Sequence, residues 1–197
     1  AYGFERDGDL AAYLTYTVES GDDGKTLHVR DWAAVDHDAR LAVLRFLADH
    51  DSQVDSVQFW TPADADVLDL LPDTEDATAE LRLCPMVRIV DVPDALGALA
   101  YPEDAACDLV LGVDDPLADW NDQAVRLRVA DGEASVDTAD AADADAELGV
   151  GALSQLAVGY RSAHDLATVG DLRAEDDAVD ALAAVLPERP VFLREGF

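Results

Sequence analysis

Adjacent acidic residues are the most frequent candidates for chemistry in this 197-residue chain, because neighbouring carboxylates can bind calcium. Two aspartates are adjacent at Asp22-Asp23, Asp114-Asp115 and Asp176-Asp177. None of these pairs lies in the alternating D-x-D-x-D-G loop of an EF-hand. A chain with 43 Asp and Glu residues is expected to contain such pairs without any function. The acidic pairs therefore predict no metal site.

Histidine, serine and cysteine residues could act as ligands or nucleophiles, but their spacing does not favour either role. The histidines lie on different predicted elements without an H-x-x-H or H-E-x-x-H spacing, so we predict neither a metal site nor a triad. Ser154 lies in Gly-Ala-Leu-Ser-Gln-Leu, which is not a G-x-S-x-G elbow, and we predict a core or helix role for it. Cys84 and Cys107 form no C-x-x-C motif and are predicted to be small core residues in a reducing compartment. The four histidines are His28, His37, His50 and His164.

Large aromatic residues could line a pocket, but core packing is the more common use of each. We therefore predict core positions for this group. Its members are Trp32, Trp60, Tyr101 and Trp120.

The charge of the chain is extreme, with 43 acidic against 13 basic residues and a formal net charge of -30. Self-repulsion of this size destabilises a compact state at low salt and is screened at high salt, which predicts a protein from a salt-rich cytoplasm. We predict no DNA or RNA partner, because neutralising phosphates requires clusters of Lys and Arg that the sequence lacks. The chain shows no run of 18 apolar residues and no signal pattern, so we predict a cytoplasmic location without a membrane partner. It begins at Ala1 rather than Met, which suggests a domain cut from a longer protein or a processed product.

The first half of the chain predicts strands interleaved with two helices. Asp7-Gly8 is a type I′ turn signal between two alternating strands, and a third strand follows. Asp36 is a candidate N-cap for a helix that ends near His50. The remaining predicted elements are a strand at 54–60, a short helix at 64–71 and a long strand at 78–92 that is broken at Pro85.

The second half predicts a small sheet with helices. Asp131-Gly132 is a second hairpin signal between alternating strands. Gly159 can end a short helix, and Ser162 resembles the start of a capping box for the next one. A last amphipathic helix near 179–186 is followed by a predicted strand at 190–193. The pattern of both halves together indicates an α+β fold.

Four short segments, in this order and spacing, resemble the enhanced intracellular survival (Eis) family of acetyltransferases. They are Met86-Val87-Arg88-Ile89-Val90-Asp91-Val92-Pro93, Asp119-Trp120-Asn121, Leu148-Gly149-Val150-Gly151-Ala152-Leu153 and the terminal segment from Arg189 to Phe197. In that family a catalytic GNAT domain is followed by a second GNAT-like domain and a sterol-carrier-like domain. The chain resembles only the last two of these parts.

The resemblance implies a GNAT-like mixed sheet with helices at 1–93 and a smaller sterol-carrier-like α/β domain at 94–197. It implies an acetyl-CoA-dependent N-acetyltransferase that modifies amines, with the N-terminal catalytic GNAT domain of the same protein as partner and a homo-oligomeric assembly. We expect this chain to be inactive alone. Its strand-to-helix junction at 30–40 has no glycine and carries three aspartates, so we predict that no cofactor binds here.

The resemblance also implies one catalytic group. In the Eis-like family the chain's own terminal carboxylate, carried by a Phe, lies beside the substrate amine and accepts its proton. Phe197 matches that residue. Two alternatives of other classes are a lipid-binding module with an apolar tunnel and a scaffold that mediates oligomers. The sequence does not distinguish a tunnel from a filled core.

Overall fold

Two separate β-sheets, each with its own apolar core, organise the computed structural model of this chain. The structure describes residues 1–22, 24–62, 65, 67–71, 73–82 and 86–193. The described residues up to 82 form the first unit, and residues 86–193 form the second. The predicted domain boundary at 93 lies further along the chain than this division. The α+β fold class is confirmed.

The first unit contains a four-stranded sheet in the order β1-β2-β3-β4. The first three strands are antiparallel, and β4 pairs in parallel with β3. Asp7 and Gly8 connect β1 to β2 with φ angles of 56° and 92°, which confirms the type I′ turn. The strands are β1 (Tyr2–Arg6), β2 (Asp9–Gly21), β3 (Gly24–Ala34) and β4 (Ser56–Gln58).

Helix α1 (His37–Ala48) covers one face of this sheet. Its apolar stripe packs on strand residues of which Leu14 and Leu27 are fully buried. The helix begins at the predicted N-cap Asp36, so that prediction is confirmed. Within the region predicted as a short helix, the described part is a 3₁₀ helix at Leu68–Leu70.

The predicted strand at 78–92 is wrong over the residues that the structure describes, which contain no strand there. Instead, helix α2 (Val92–Ala98) begins at the end of this segment. Asp91 caps it by accepting a hydrogen bond from the Asp94 N–H at 3.0 Å, and Pro93 occupies the first turn. The apolar residues before it alternate as in a strand, but the N–H groups of Ile89 and Val92 bind side chains rather than a neighbouring strand.

The second unit contains a five-stranded sheet in the order β7-β6-β5-β8-β9. Strand β8 is parallel to β5, and the other pairings are antiparallel. Asp131 and Gly132 form the turn of the second predicted hairpin with φ angles of 53° and 79°. The strands are β5 (Cys107–Asp114), β6 (Gln123–Ala130), β7 (Glu133–Thr138), β8 (Ala146–Gly149) and β9 (Leu172–Ala174).

Three further helices join α2 in packing apolar side chains against this second sheet. The opposite face carries cross-strand ion pairs, including Arg126–Asp108 at 2.6 Å and Arg173–Glu147 at 3.0 Å. Among the described residues, no helix is long and apolar enough to cross a membrane. The three helices are α3 (Val150–Val158), α4 (Ala163–Val169) and α5 (Asp176–Val185).

The segment after α5 follows the surface without joining the sheet, so the predicted strand at 190–193 is wrong. Pro187 and Pro190 have no N–H to donate to a strand ladder. The Arg189 N–H instead donates to the Gly159 carbonyl oxygen at 2.9 Å. Gly159 ends α3 with a φ of 76°, as predicted, and a Cβ there would lie 2.5 Å from Cγ of Arg189. The start of the C-terminal segment thus packs closely on Gly159, where a larger residue would clash with Arg189.

Candidate functional site

The junction between β3 and α1 corresponds to the place where a catalytic GNAT domain would bind a cofactor phosphate. A helix start can bind an anion because its first N–H groups have no partners within the helix. Here Asp36 supplies that anion, since its carboxylate accepts the Ala39 N–H at 2.9 Å. Arg6 donates to both oxygens of the same carboxylate, at 2.5 and 3.4 Å. The helix start is therefore filled by a side chain of the protein itself.

The charge at this helix start is fixed as well. The hydrogen bond from Arg6, followed by that from the Ala39 N–H, holds the pKa of Asp36 below its usual value. Asp36 therefore stays ionised at neutral pH, and Asp38 adds a second acidic residue in the first turn of the helix. A phosphate approaching this helix start would meet two carboxylates. The residues present do not fit the pyrophosphate of acetyl-CoA.

A buried polar network in the second unit brings together the segment before α2, the loop between β5 and β6, and α3. Asp115 lies at its centre and is fully buried. Its carboxylate accepts hydrogen bonds from Arg88 at 2.5 and 2.6 Å, and from the N–H groups of Leu117 at 3.0 Å and Ala118 at 3.2 Å. These bonds fasten the loop to the segment that leads into α2.

Two more buried side chains, Asn121 and Ser154, complete the network by binding the backbone of that segment. Oδ1 of Asn121 accepts the Val92 N–H at 3.0 Å, and its Nδ2 donates to Asp115 at 3.2 Å. The Ser154 hydroxyl accepts the Ile89 N–H at 2.9 Å and donates to the Val150 carbonyl oxygen at 2.6 Å. The prediction of a core or helix role for Ser154 is confirmed, since the residue is buried within α3.

Asp115 is an ionised structural group rather than a base. Burial raises its pKa, but the hydrogen bonds from the Leu117 N–H, Arg88 and Asn121 outweigh that effect and leave the pKa below its usual value. Both oxygens are engaged by donors, so neither is available to a substrate proton. The network holds three of the four segments that carry the family resemblance. These three segments thus have a structural role, because hydrogen bonds of one buried network connect them.

In the loop of this network, the apolar side chains of Leu117 and Trp120 are exposed to solvent. Trp120 is largely exposed, although its Nε1 donates to the Val90 carbonyl oxygen at 2.8 Å. The core position predicted for it is wrong, and so is that for Trp60, which is half exposed. Sequence reasoning treated Asp115 as one acid of a chance pair. The sequence signal that could have identified it is Arg88, one of 13 basic residues, which lies in the first of the four segments that carry the family resemblance.

The interior of the second unit is filled by side chains. Leu111, Leu127 and Leu153 have no exposed surface and belong to one contiguous apolar cluster between the sheet and the helices. Two depressions of about 840 and 740 Å³ share the polar residues Glu147 and Arg173 in their linings. The described residues thus give no support for an apolar lipid tunnel.

The other predicted site residues are dispersed. His164 pairs with Asp180 at 2.8 Å on the surface, and Nε2 of His50 lies 3.3 Å from the Tyr16 hydroxyl. Within the described ranges, no three His, Cys, Asp or Glu side chains are grouped so that they could hold a metal ion. Burial raises the pKa of the Cys107 thiol, which packs against the core. Phe197 and Cys84 lie outside the described residues.

Comparison with known protein families assigns both halves of the chain. Residues 92–194 match the profile described as the sterol carrier protein domain. Residues 1–89 match the acetyltransferase (GNAT) domain. An "uncharacterized N-acetyltransferase" of Streptomyces avermitilis is 32% identical over 174 residues, which are 86% of this chain and 42% of that protein. The chain therefore spans less than half the length of this relative.

Solved structures show the same pairing of folds. A GCN5-related N-acetyltransferase from Anabaena variabilis matches 97% of this chain and 48% of its own, with a TM-score of 0.81 and 26% identity. Eis1 from Mycobacterium abscessus matches 94% of this chain and 48% of its own, with a TM-score of 0.71 and 25% identity. In each case about half of the larger chain has no counterpart here.

Proposed function

We propose that this chain, which belongs to the sterol carrier protein domain family through residues 92–194, serves as the non-catalytic part of an Eis-like N-acetyltransferase. The match of residues 1–89 to an acetyltransferase (GNAT) domain supports this proposal. So do the acetyltransferases among the solved structures that it resembles. We propose residues 1–93 as the GNAT-like domain and 94–197 as the sterol-carrier-like domain.

One observation carries the non-catalytic assignment of the first unit. The Asp36 carboxylate accepts the Ala39 N–H at the start of α1 and is itself paired with Arg6, so a negative charge of the protein already occupies the place where a pyrophosphate would bind. Acetyl-CoA binding by the complete enzyme is therefore proposed for a different, catalytic domain.

Calorimetry with acetyl-CoA in molar potassium chloride tests this assignment. We expect no binding heat with the 197-residue chain, whereas the full Anabaena protein serves as the positive control. A micromolar Kd, worth about -8 kcal/mol, would contradict the non-catalytic assignment of the first unit.

The proposed reaction is acetyl transfer to an amine, with the Phe197 carboxylate accepting the proton that the amine loses. The test uses a polypeptide that contains both a catalytic GNAT domain and this chain. Deleting Phe197, or extending the chain beyond it, is expected to lower turnover by roughly 10²–10⁴-fold, the usual cost of losing a general base. Phe197→Leu is the matched control, because it keeps the carboxylate and is expected to lower turnover far less. Unchanged turnover after extension would exclude the carboxylate as the base.

The acidity of the chain supports two further parts of the proposal: a salt-rich cytoplasm and a preference for polycationic amines. If the net charge of -30 is an adaptation to salt, the thermal midpoint rises between dilute buffer and molar potassium chloride. A flat response would remove the inference about the environment and leave the acetyltransferase proposal standing. The homo-oligomer and the absence of nucleic-acid partners stay predictions.

A further inference from the structure

Polar and apolar side chains exchange their usual positions at one place in the second unit. Asp115 and Asn121 are buried at 2% and 0% exposure, whereas Val90, Leu117 and Trp120 directly beside them are 70%, 80% and 66% exposed. Buried polar groups and exposed large apolar groups are the two informative exceptions to ordinary burial. Here both occur in the same loop. We call Val90, Leu117 and Trp120 the Trp120 patch.

The Trp120 patch is held in place before anything binds to it. Trp120 is fastened by its Nε1 donor to the Val90 carbonyl oxygen at 2.8 Å. The loop is closed by the Asn121 N–H, which donates to the Ala118 carbonyl oxygen at 2.8 Å. Ordering a large side chain in advance lowers the entropy lost on binding. Tryptophan is also the residue type most enriched among residues that dominate interface energies.

Exposure of a rigid tryptophan is costly unless a partner covers it, because burying a large apolar side chain is worth about 1.5–3 kcal/mol. A second copy of this chain fits poorly, since exposed Asp119 and Asp122 flank Trp120 and would face their own copies. The relatives point to another occupant. In the Anabaena structure the two units are joined, in one polypeptide, to a further half that has no counterpart in this chain.

We propose that the Trp120 patch is the docking surface for a catalytic acetyltransferase domain, an inference that rests on the proposed function. The domain's complementary face has an apolar centre that covers Trp120 and Leu117. Arg or Lys side chains at its rim meet Asp119 and Asp122. The buried Asp115 network then acts as the support that aims the patch.

Side-chain footprinting with hydroxyl radicals tests the proposal, because its rate follows the exposure of each side chain. It compares the 197-residue chain with a chimera in which this chain replaces the matched 174-residue segment of the Streptomyces relative. We expect labelling of Trp120 and Leu117 to slow by about fivefold or more in the chimera, as for a desolvated interface centre. Tyr160, which is 59% exposed in the same unit, is the internal control and should be labelled equally in both.

A variant separates docking from folding. Leu117→Ser changes the patch without touching the network, which uses only the Leu117 backbone N–H. In the chimera it should restore rapid labelling of Trp120 while the thermal midpoint of the isolated chain stays unchanged. Equal labelling of Trp120 in chain and chimera would overturn the proposal. It would also be overturned if the isolated chain alone protected Trp120 in a concentration-dependent way that Leu117→Ser abolished, because the occupant would then be a second copy.

Acetyl transfer by the chimera distinguishes this inference from the proposed function. Protection of Trp120 in a chimera that acetylates no amine would support docking and count against the proposed function. An active chimera in which Trp120 stays exposed would support the function and overturn the docking surface.

Discussion

Two arginine–aspartate pairs, one in each unit, show how burial changes the role of the same chemical contact. Arg6 and Asp36 are 47% and 44% exposed at the start of α1. In the second unit, the side chains of Arg88 and Asp115 are 37% and 0% exposed. An exposed pair contributes little to stability, so the first pair matters mainly because it occupies a helix end. Each oxygen of a buried carboxylate needs hydrogen-bond donors, so Asp115 also binds the backbone N–H groups of Leu117 and Ala118 and orders the loop around it.

Removing the buried member of a pair should have the largest effect. Asp115→Ala removes a carboxylate that accepts hydrogen bonds from Arg88, Asn121 and two loop N–H groups. We expect the thermal midpoint of the second unit to fall by on the order of 10 °C. Asp114→Ala is the matched control, because Asp114 is the exposed neighbour and should shift the midpoint by about 1 °C or less. Circular dichroism in molar potassium chloride measures both. Equal shifts would show that burial does not distinguish the two acids.

Protonating the Asp115 carboxylate in acid should lower the stability of the second unit by less than removing it does. Its folded pKa is lowered, so its stabilisation is fully present above the unfolded value of about 3.9 and is lost as pH falls through the folded pKa. We therefore expect no contribution from Asp115 to the pH dependence between pH 5 and 8, a range that lies above about 3.9. Below about pH 4 the wild type should lose more stability than Asp115→Asn, as measured by urea unfolding. Parallel acid profiles would contradict the lowered pKa.

The second unit also contains a contrast between a constrained and a free glycine. Gly159→Ala places a Cβ at a φ of 76° and within 3.0 Å of the Pro187 carbonyl oxygen, and should destabilise by about 1–3 kcal/mol. Gly151→Ala, in the first turn of α3, has no atom within 4 Å of the new Cβ. It should be neutral or stabilise by up to about 1 kcal/mol. Urea unfolding measures both, and a harmless Gly159→Ala would mean that Arg189 does not rest on this position.

The exposed pair should show the smallest effect and the strongest dependence on salt. Asp36→Ala removes the N-cap and the ion pair together, and we expect a midpoint about 3 °C lower in dilute buffer. Asp36→Ser keeps an N-cap oxygen and removes only the partner of Arg6. In molar potassium chloride Asp36→Ser should match the wild type, because screening already removes the ion pair, while Asp36→Ala stays lower. If the midpoint of Asp36→Ser stayed below that of the wild type by the same amount in both buffers, the Arg6–Asp36 pair would not behave as a screened surface ion pair.

Local signals in the sequence predicted local structure well. The Asp7-Gly8 and Asp131-Gly132 turns, the Asp36 cap and the Gly159 helix end are all confirmed, because each depends on residues within a few positions. The four-segment resemblance also predicted the GNAT and sterol carrier domains that the comparisons support.

Features that depend on distant partners were missed. The segment at 86–92 alternates like a strand, yet its N–H groups bind Asn121 and Ser154, which no local pattern reveals. Trp120 was assigned to the core because large aromatic residues are usually buried. Its exposure follows from the loop that Asp115 closes. Composition gave no sign that Asp115, one of 43 acids, would be buried at the centre of a polar network.

The hydrogen bond from the Ile89 N–H to Ser154 joins residues 65 positions apart, which sets an order for folding during synthesis. Ribosomes add about 5–20 residues per second, so the residues that satisfy this segment emerge roughly 3–13 s after it does. The described strands and the helix α1 of the first unit all lie earlier in the chain, so they can fold within that interval. The segment that precedes α2 is therefore among the last parts to become ordered. The nascent chain passes through a stage in which the first unit is native, while the second unit has neither its buried carboxylate nor its exposed tryptophan in place.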